Sequence, residues 1–284
     1  MAKVWFLTGA SSGLGEALAQ AIIDKGDMVA ATFRSEEQAI AFNNQHPERG
    51  IGLVLDVTAT DKIKAVVARA YTHFGSIDVL VNNAGYGTVG AIEEFSLEEI
   101  RQQMETNFFG TVAVTKEVLP IMREKRSGHI VQLSSVSGIR ALGGFGIYNA
   151  SKFALEGFSE ALAQEVAPFN IRVTIVEPGP FRTQFAGTSI KMPQKRLEDY
   201  QHTPVGTMYK YIQEANGKQE GDPVKGARAI VDFVYSDNES LRLPLGQLAL
   251  AGIKAKLQSV QKDLEANEAV AASVIFSETG AHKS

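Results

Sequence analysis

The stretch Val4-Trp5-Phe6-Leu7-Thr8-Gly9-Ala10-Ser11-Ser12-Gly13-Leu14-Gly15 decides the fold of this chain. Its four continuous apolar residues predict a strand buried on both faces. Beyond the turn, Leu14, Ala17, Leu18, Ala21 and Ile22 recur at helical spacing, and Gly26 closes the stripe. The turn carries its three glycines as G-x₃-G-x-G, not as G-x-G-x-x-G. Glycine lets a backbone turn tightly and approach a phosphate, and a helix N-terminus offers that phosphate free N–H groups and a positive dipole end. A tight turn with a purely structural role is the alternative. The position between first strand and first helix favours the phosphate.

Working outward, short runs rich in Val, Ile and Leu follow at 28–33, 51–57, 79–81, 129–133 and 171–176. Helical periods lie between them. Ile63, Val66, Val67, Ala70 and Phe74 form one stripe, closed by Gly75. Longer helical stretches run from about 97 to 126 and from about 148 to 166, the second stopping at Pro168. After Pro178 the rhythm weakens: 181–222 is polar with no clear period, 223–235 is helical, 241–245 is a last strand and 247–267 a last helix. The small polar tail at 278–284 is expected to fray. Strands alternating with helices predict an α/β fold, a Rossmann-type doubly wound parallel sheet with helices on both faces. It forms a single domain with a variable segment inserted at 181–222.

Composition removes several classes of function. The 284 residues are 44% hydrophobic and 21% charged, too apolar for disorder. A net charge of −4 argues against a nucleic-acid surface. The absence of cysteine excludes a disulfide scaffold, a thiolate zinc site, an iron–sulfur cluster and a cysteine nucleophile, and fits a reducing cytoplasm. Five scattered histidines form no metal-binding pair, so no metal is expected. The N-terminal apolar run stops after four residues, short of a signal core, and no run approaches a membrane span.

The chemistry-bearing motifs sit at the ends of the predicted strands. Phe33 stands where an acid usually takes the ribose hydroxyls, and Arg34 follows it. A guanidinium grips a 2′-phosphate that a carboxylate would repel. The alternative leaves Arg34 a solvated loop charge and gives the ribose to Glu36 or Glu37. In Asp56-Val57, Asp56 either accepts from an adenine amino group or caps the next helix. In Asn82-Asn83-Ala84-Gly85-Tyr86-Gly87, asparagines can lock adjacent strand ends while Gly85 clears room beside a flat ligand. Ser134-Ser135 ends the fifth predicted strand, and Tyr148 follows Ser135 by thirteen residues. Tyr148 and Lys152 share one helix face. A nearby ammonium favours the phenolate and brings the phenol toward the working range. A serine hydroxyl can bond the substrate oxygen that gains charge.

Together these motifs resemble the short-chain dehydrogenase/reductase family, from Val4 to about Thr183, in family order. The resemblance implies that Gly9, Ser11, Ser12, Gly13, Leu14 and Gly15 line the diphosphate. It implies that Arg34, Asp56 and Val57 serve the adenosine end, with Asn83, Ala84 and Gly85 beside the ribose. Pro178, Gly179 and Thr183 would flank the nicotinamide. Tyr148 would be the general acid, Lys152 would hold the nicotinamide ribose and lower the pKa of Tyr148, and Ser135, rather than Ser134, would orient the carbonyl. Asn107 would complete the set by holding a water. On the residues alone, Asn107 reads as a mid-helix amide bonded for structure.

The implied cofactor is NADP(H), although the second basic residue common in NADP-preferring members is here Ser12. The implied activity is ketone or aldehyde reduction, or the reverse. The contrasting reading is a non-catalytic NADP-binding regulator. The expected substrate wall comprises residues 137–145, Tyr86 and segment 181–222, with Phe145, Phe181, Phe185 and Met192 favouring an apolar carbonyl compound. Within the family the chain is similar to the 17β-hydroxysteroid dehydrogenase-like and retinol dehydrogenase-like branch, which does not license a steroid or retinoid. A homodimer or homotetramer is implied, seamed along the helices that carry Asn107 and Tyr148, with the extension beyond Leu245 able to cover a second seam.

Overall fold

A computed structural model describes residues 2–276 apart from Thr188 and Asn216, so the tail expected to fray lies outside the described residues. In chain order the elements are β1 (Val4–Leu7), α1 (Gly13–Asp24), β2 (Met28–Phe33), α2 (Glu36–Gln45), β3 (Gly50–Val54), α3 (Thr60–Phe74), β4 (Val79–Asn82) and β5 (Gly87–Thr88). There follow α4 (Leu97–Met104), α5 (Gly110–Lys125), β6 (Gly128–Leu133), α6 (Gly146–Val166), β7 (Ile171–Pro178) and β8 (Ile190–Lys191). The chain closes with α7 (Pro204–Ala215), α8 (Pro223–Tyr235), β9 (Arg242–Leu245) and α9 (Gln247–Ser273). Seven strands form one parallel sheet in the order β3-β2-β1-β4-β6-β7-β9, and β5 pairs with β8 apart from it.

Strand alternation sorts the core into two layers. Trp5 and Leu7 face α1, α2 and α8, where they meet Leu18, Ile22, Phe42, Ile230 and Val231. Phe6 points the other way, into Ile63, Val67, Val114, Val118 and Leu162 from α3, α5 and α6. Leu18, Ile22 and Ile63 are wholly buried, each burial contributing about 1.5–3 kcal/mol. The strand order reverses between β1 and β4. Such a reversal opens a crevice at the carboxyl ends of the strands, where open α/β sheets bind ligands.

The sequence expectation differs from the structure in four places. The third strand stops at Val54 and not at residue 57, because Asp56 turns back to accept from the amide and hydroxyl of Thr58 at 2.9 and 2.7 Å. The helix expected over 97–126 is broken by a π-helical turn, Glu105–Phe109, where the Asn107 side chain is drawn to neighbouring elements. The helix α2 forms with little apolar stripe, its start held by the Ser35 hydroxyl. Segment 181–222, read as aperiodic, contains α7, which buries Val205 and Ile212. Among the described residues no helix is long and apolar enough to cross a membrane.

Candidate active site

The crevice is a cavity of about 1330 Å³ that begins at the β1–α1 turn. Gly9 lies at φ +71°, where a Cβ would come within 2.9 Å of the Ala84 Cα. A Cβ on Gly15 would stand 2.1 Å from the Gly9 carbonyl oxygen. The turn is thus closed to any side chain at two points; its Gly9 and Ala10 amides donate to the Thr32 hydroxyl and carbonyl at 3.2 and 3.0 Å, which anchors it to β2. Ser12, the residue before α1, makes no capping bond with its side chain, so the helix N-terminus remains open to an anion. Asn83 ties the turn to β4: its amide donates to the carbonyls of Thr8 and Gly9 at 3.1 and 2.8 Å. This is the strand-end lock that the asparagine pair suggests. Thr183 packs directly on Gly13, bringing the start of the variable segment over the turn.

All the residues expected to hold the cofactor line this one cavity: Gly9, Ser11, Ser12, Gly13, Leu14, Gly15, Arg34, Asp56, Val57, Asn83, Ala84, Gly85, Tyr148, Lys152, Pro178, Gly179 and Thr183. Arg34 is exposed at its edge, whereas Glu36 and Glu37, in the first turn of α2, are not part of the lining. Burial pushes the Asp56 carboxyl up, but the Thr58 bonds and the Arg34 charge outweigh it and hold the group low. Asp56 does not bond the first turn of α3, whose capping residue is Ala59.

At the inner end, α6 brings Tyr148 and Lys152 onto one buried face beside Ser135. The Ser135 hydroxyl accepts from the Ser137 amide at 3.1 Å and donates to the Pro178 carbonyl at 3.4 Å, spanning the ends of β6 and β7. Ser134 also lines the cavity, but its side chain lies against Glu156 and Gly138. Lys152 donates to the Leu133 carbonyl at 2.6 Å, and its Nζ stands 5.9 Å from the Tyr148 ring centre. Burial lowers Lys152 to about 8, opposed by the charge of Glu156.

Tyr148 and Asn107 are both enclosed by the fold. Burial raises the Tyr148 phenol to about 12, and the Ser135 hydroxyl pulls it down. The ammonium is held by a carbonyl and the phenol is out of water, so desolvation wins. Asn107 does not line the cavity. It is 1% exposed, and its amide donates to the Tyr86 carbonyl at 2.9 Å and to Ser151 at 3.1 Å while accepting from the Tyr86 amide at 3.1 Å. Its side chain is bonded for structure, within the π-helical turn.

The substrate end is also revised. Of residues 137–145, Ser137, Arg140, Leu142 and Phe145 line the cavity, while Gly138, Ile139, Ala141, Gly143 and Gly144 do not. Met192 lies outside it, against Arg196. Phe181 lines it but also wedges against Gly221 and Gly226, as an anchor. The sequence reading missed α7, which contributes Thr207, Met208, Tyr211, Ile212 and Ala215. Pro204 followed by Val205, Met208 and Ile212 was the available signal.

A parallel sheet with a glycine turn at its reversal, and a buried tyrosine–lysine pair beside it, defines a dinucleotide-binding oxidoreductase. The chain belongs to the short-chain dehydrogenase family, whose model matches residues 3–194. Oxidoreductase BOA17 of Botryotinia fuckeliana is 40% identical over 266 residues, 93% of this chain and 96% of that protein. A 3-ketodihydrosphingosine reductase of Bacteroides thetaiotaomicron is 40% identical over 251 residues, 87% of this chain and 88% of that one. The crystal structure of a short-chain dehydrogenase from Streptomyces avermitilis superposes with a TM-score of 0.90 at 41% identity, covering 96% of this chain and 98% of that one. The family binds NAD(P), and the chain is an oxidoreductase acting on small molecules.

Proposed function

We propose that the protein is an NADP(H)-dependent oxidoreductase that interconverts an apolar ketone or aldehyde with its alcohol. The observation that carries this reading is the meeting of Ser135, Tyr148 and Lys152 in one cavity with the glycine turn and Arg34. The glycine turn and open helix end fit a diphosphate, and Arg34, with no acid at position 33, fits a 2′-phosphate better than free ribose hydroxyls. Gly9 to Gly15 would hold the diphosphate, Lys152 the nicotinamide ribose, and Pro178, Gly179 and Thr183 the nicotinamide. When bound, the cofactor supplies the hydride.

The remaining work falls to the chain. Ser135 orients the substrate oxygen, and the Tyr148 hydroxyl donates its proton to that oxygen as charge develops. A phenol raised by burial is fully protonated at neutral pH, as reduction needs. Asn107 would act as a positioning residue, fixing Tyr86 and α6. Leu142, Phe145, Phe185, Met208, Ile212 and Leu248 surround the space left for substrate, which favours an apolar body over a phosphorylated sugar. Exposed Phe109 and Phe153 on the helices near Asn107 and Tyr148 support a homo-oligomeric seam there.

The test follows the absorbance of the reduced nicotinamide with NADPH and NADH over aryl ketones, aliphatic aldehydes, diketones and steroids. Turnover is expected with NADPH, and Tyr148→Phe should lower kcat by about 10²–10⁴-fold with NADPH binding retained. Tight NADPH binding without turnover on any carbonyl would replace this reading with that of a non-catalytic NADP-binding regulator.

A further inference from the structure

The last helix leaves the body of the protein. Near its start Ala249 and Gly252 are buried, Gly252 against Val136 and Arg140, but residues 257–276 are exposed throughout. Helices in proteins draw most of their stability from packing an apolar face, so this exposed stretch calls for a partner. The sequence of α9 carries a seam for one. Ile253, Leu257, Val260 and Leu264 alternate spacings of four and three, and Leu250 and Asn267 extend the pattern at either end. Between Ile253 and Asn267, every apolar residue larger than alanine lies on this seam. Leu257 and Leu264 are 60% and 62% exposed. A repeat of 3.5 residues is the period of paired, supercoiled helices.

We propose that α9 is a dimerisation helix that pairs antiparallel with α9 of a second copy of this chain, Leu257 lying opposite the partner's Val260. The flanking charges select both occupant and direction. In that register Lys256 lies beside the partner's Asp263, and the twofold axis repeats the pair. A parallel, in-register pair would instead bring Asp263 beside the partner's Glu268 and gain no opposite charge. Asn267 falls in the outermost layer, opposite the partner's Leu250, where water still reaches its amide. Lys254, Lys256 and Lys262 are matched in number by Asp263, Glu265 and Glu268, so the helix has no basic excess to draw it to an anionic lipid surface.

The chain contains no cysteine, which makes engineered crosslinks unambiguous. Leu257→Cys and Val260→Cys are prepared as separate full-length proteins, mixed, and oxidised. The mixture should give a disulfide-linked heterodimer, while Leu257→Cys alone should crosslink little. In parallel, light scattering should show that Leu257→Asp combined with Leu264→Asp halves the mass of the assembly. These side chains are largely exposed and lie in the stretch of α9 beyond its buried start, so the melting of the body should be unchanged. Self-crosslinking of Leu257→Cys would overturn the antiparallel arrangement. A mass unaffected by the paired aspartates, or a monomeric starting protein, would overturn the proposal as a whole.

Discussion

The two ends of the cavity are built differently. At the nucleotide end the main chain sets the shape: Gly15 has no room for a methyl group against the Gly9 carbonyl, and the Thr8 and Gly9 carbonyls accept the Asn83 amide. At the substrate end, segment 190–209 is fastened by side chains. Glu94, 6% exposed, accepts from the Leu197 amide and the Tyr209 hydroxyl, each at 2.8 Å. Glu99 accepts from the Gln194 amide at 3.2 Å, and Glu93 from the Tyr200 hydroxyl at 2.6 Å. A backbone cradle tolerates almost no sequence change, whereas a segment fastened by carboxylates can vary while the chemistry beneath it stays fixed.

The largest effect is expected of Gly15→Ala. If the turn is as closed as its contacts imply, the added methyl should cost about 1–3 kcal/mol of stability or more. Cofactor affinity should fall with it, read by thermal melting and NADPH titration. Tolerance of alanine would mean that the cradle gives way. Arg34→Ala should have a smaller effect confined to one ligand. NADPH should bind roughly 10- to 100-fold more weakly, since a lost charge-assisted bond is worth about 1.5–3 kcal/mol, and NADH should be unchanged. Equal loss for both cofactors would make Arg34 a structural charge.

The smallest effect is expected from Glu94→Gln, a roughly threefold rise in the KM for carbonyl substrate at unchanged NADPH affinity. The pH dependence of this fastening has a definite sign. Burial pushes the Glu94 carboxyl up, but bonds from Leu197, Ala91 and Tyr209 and the Arg196 charge leave it below its ordinary 4.5. The carboxylate therefore contributes fully above that value, and its contribution is lost as pH falls through the lower, folded-state value. Proteolysis within 190–209 should accelerate in that acid range in the native protein and less so in Glu94→Gln. Equal acceleration in both would show that Glu94 is not the fastening.

What was legible in the sequence obeys short-range rules. The glycine turn, the strand runs and the Tyr148–Lys152 spacing each express geometry set within a few residues. The features missed depend on distant partners. Glu94 meets Leu197 across 103 positions and Tyr209 across 115. No local period marks such pairs. The helix α7 was hidden for a related reason: its apolar face is short and set among polar residues, so only docking reveals which side is buried.

Local sequence encodes the alternation of strands and helices, the open glycine turn and the candidate reactive side chains, because each is written in covalent geometry and short-range spacing. Only the tertiary structure decided their state. Tyr148 is raised to about 12 and Lys152 lowered to about 8 by burial. Asn107 is bonded away from the cavity, and Glu156 and Glu177 are gathered around Arg242 from separate strands and helices. Solvent exclusion and electrostatic environment are sums over atoms contributed by the whole fold, and no segment carries them alone.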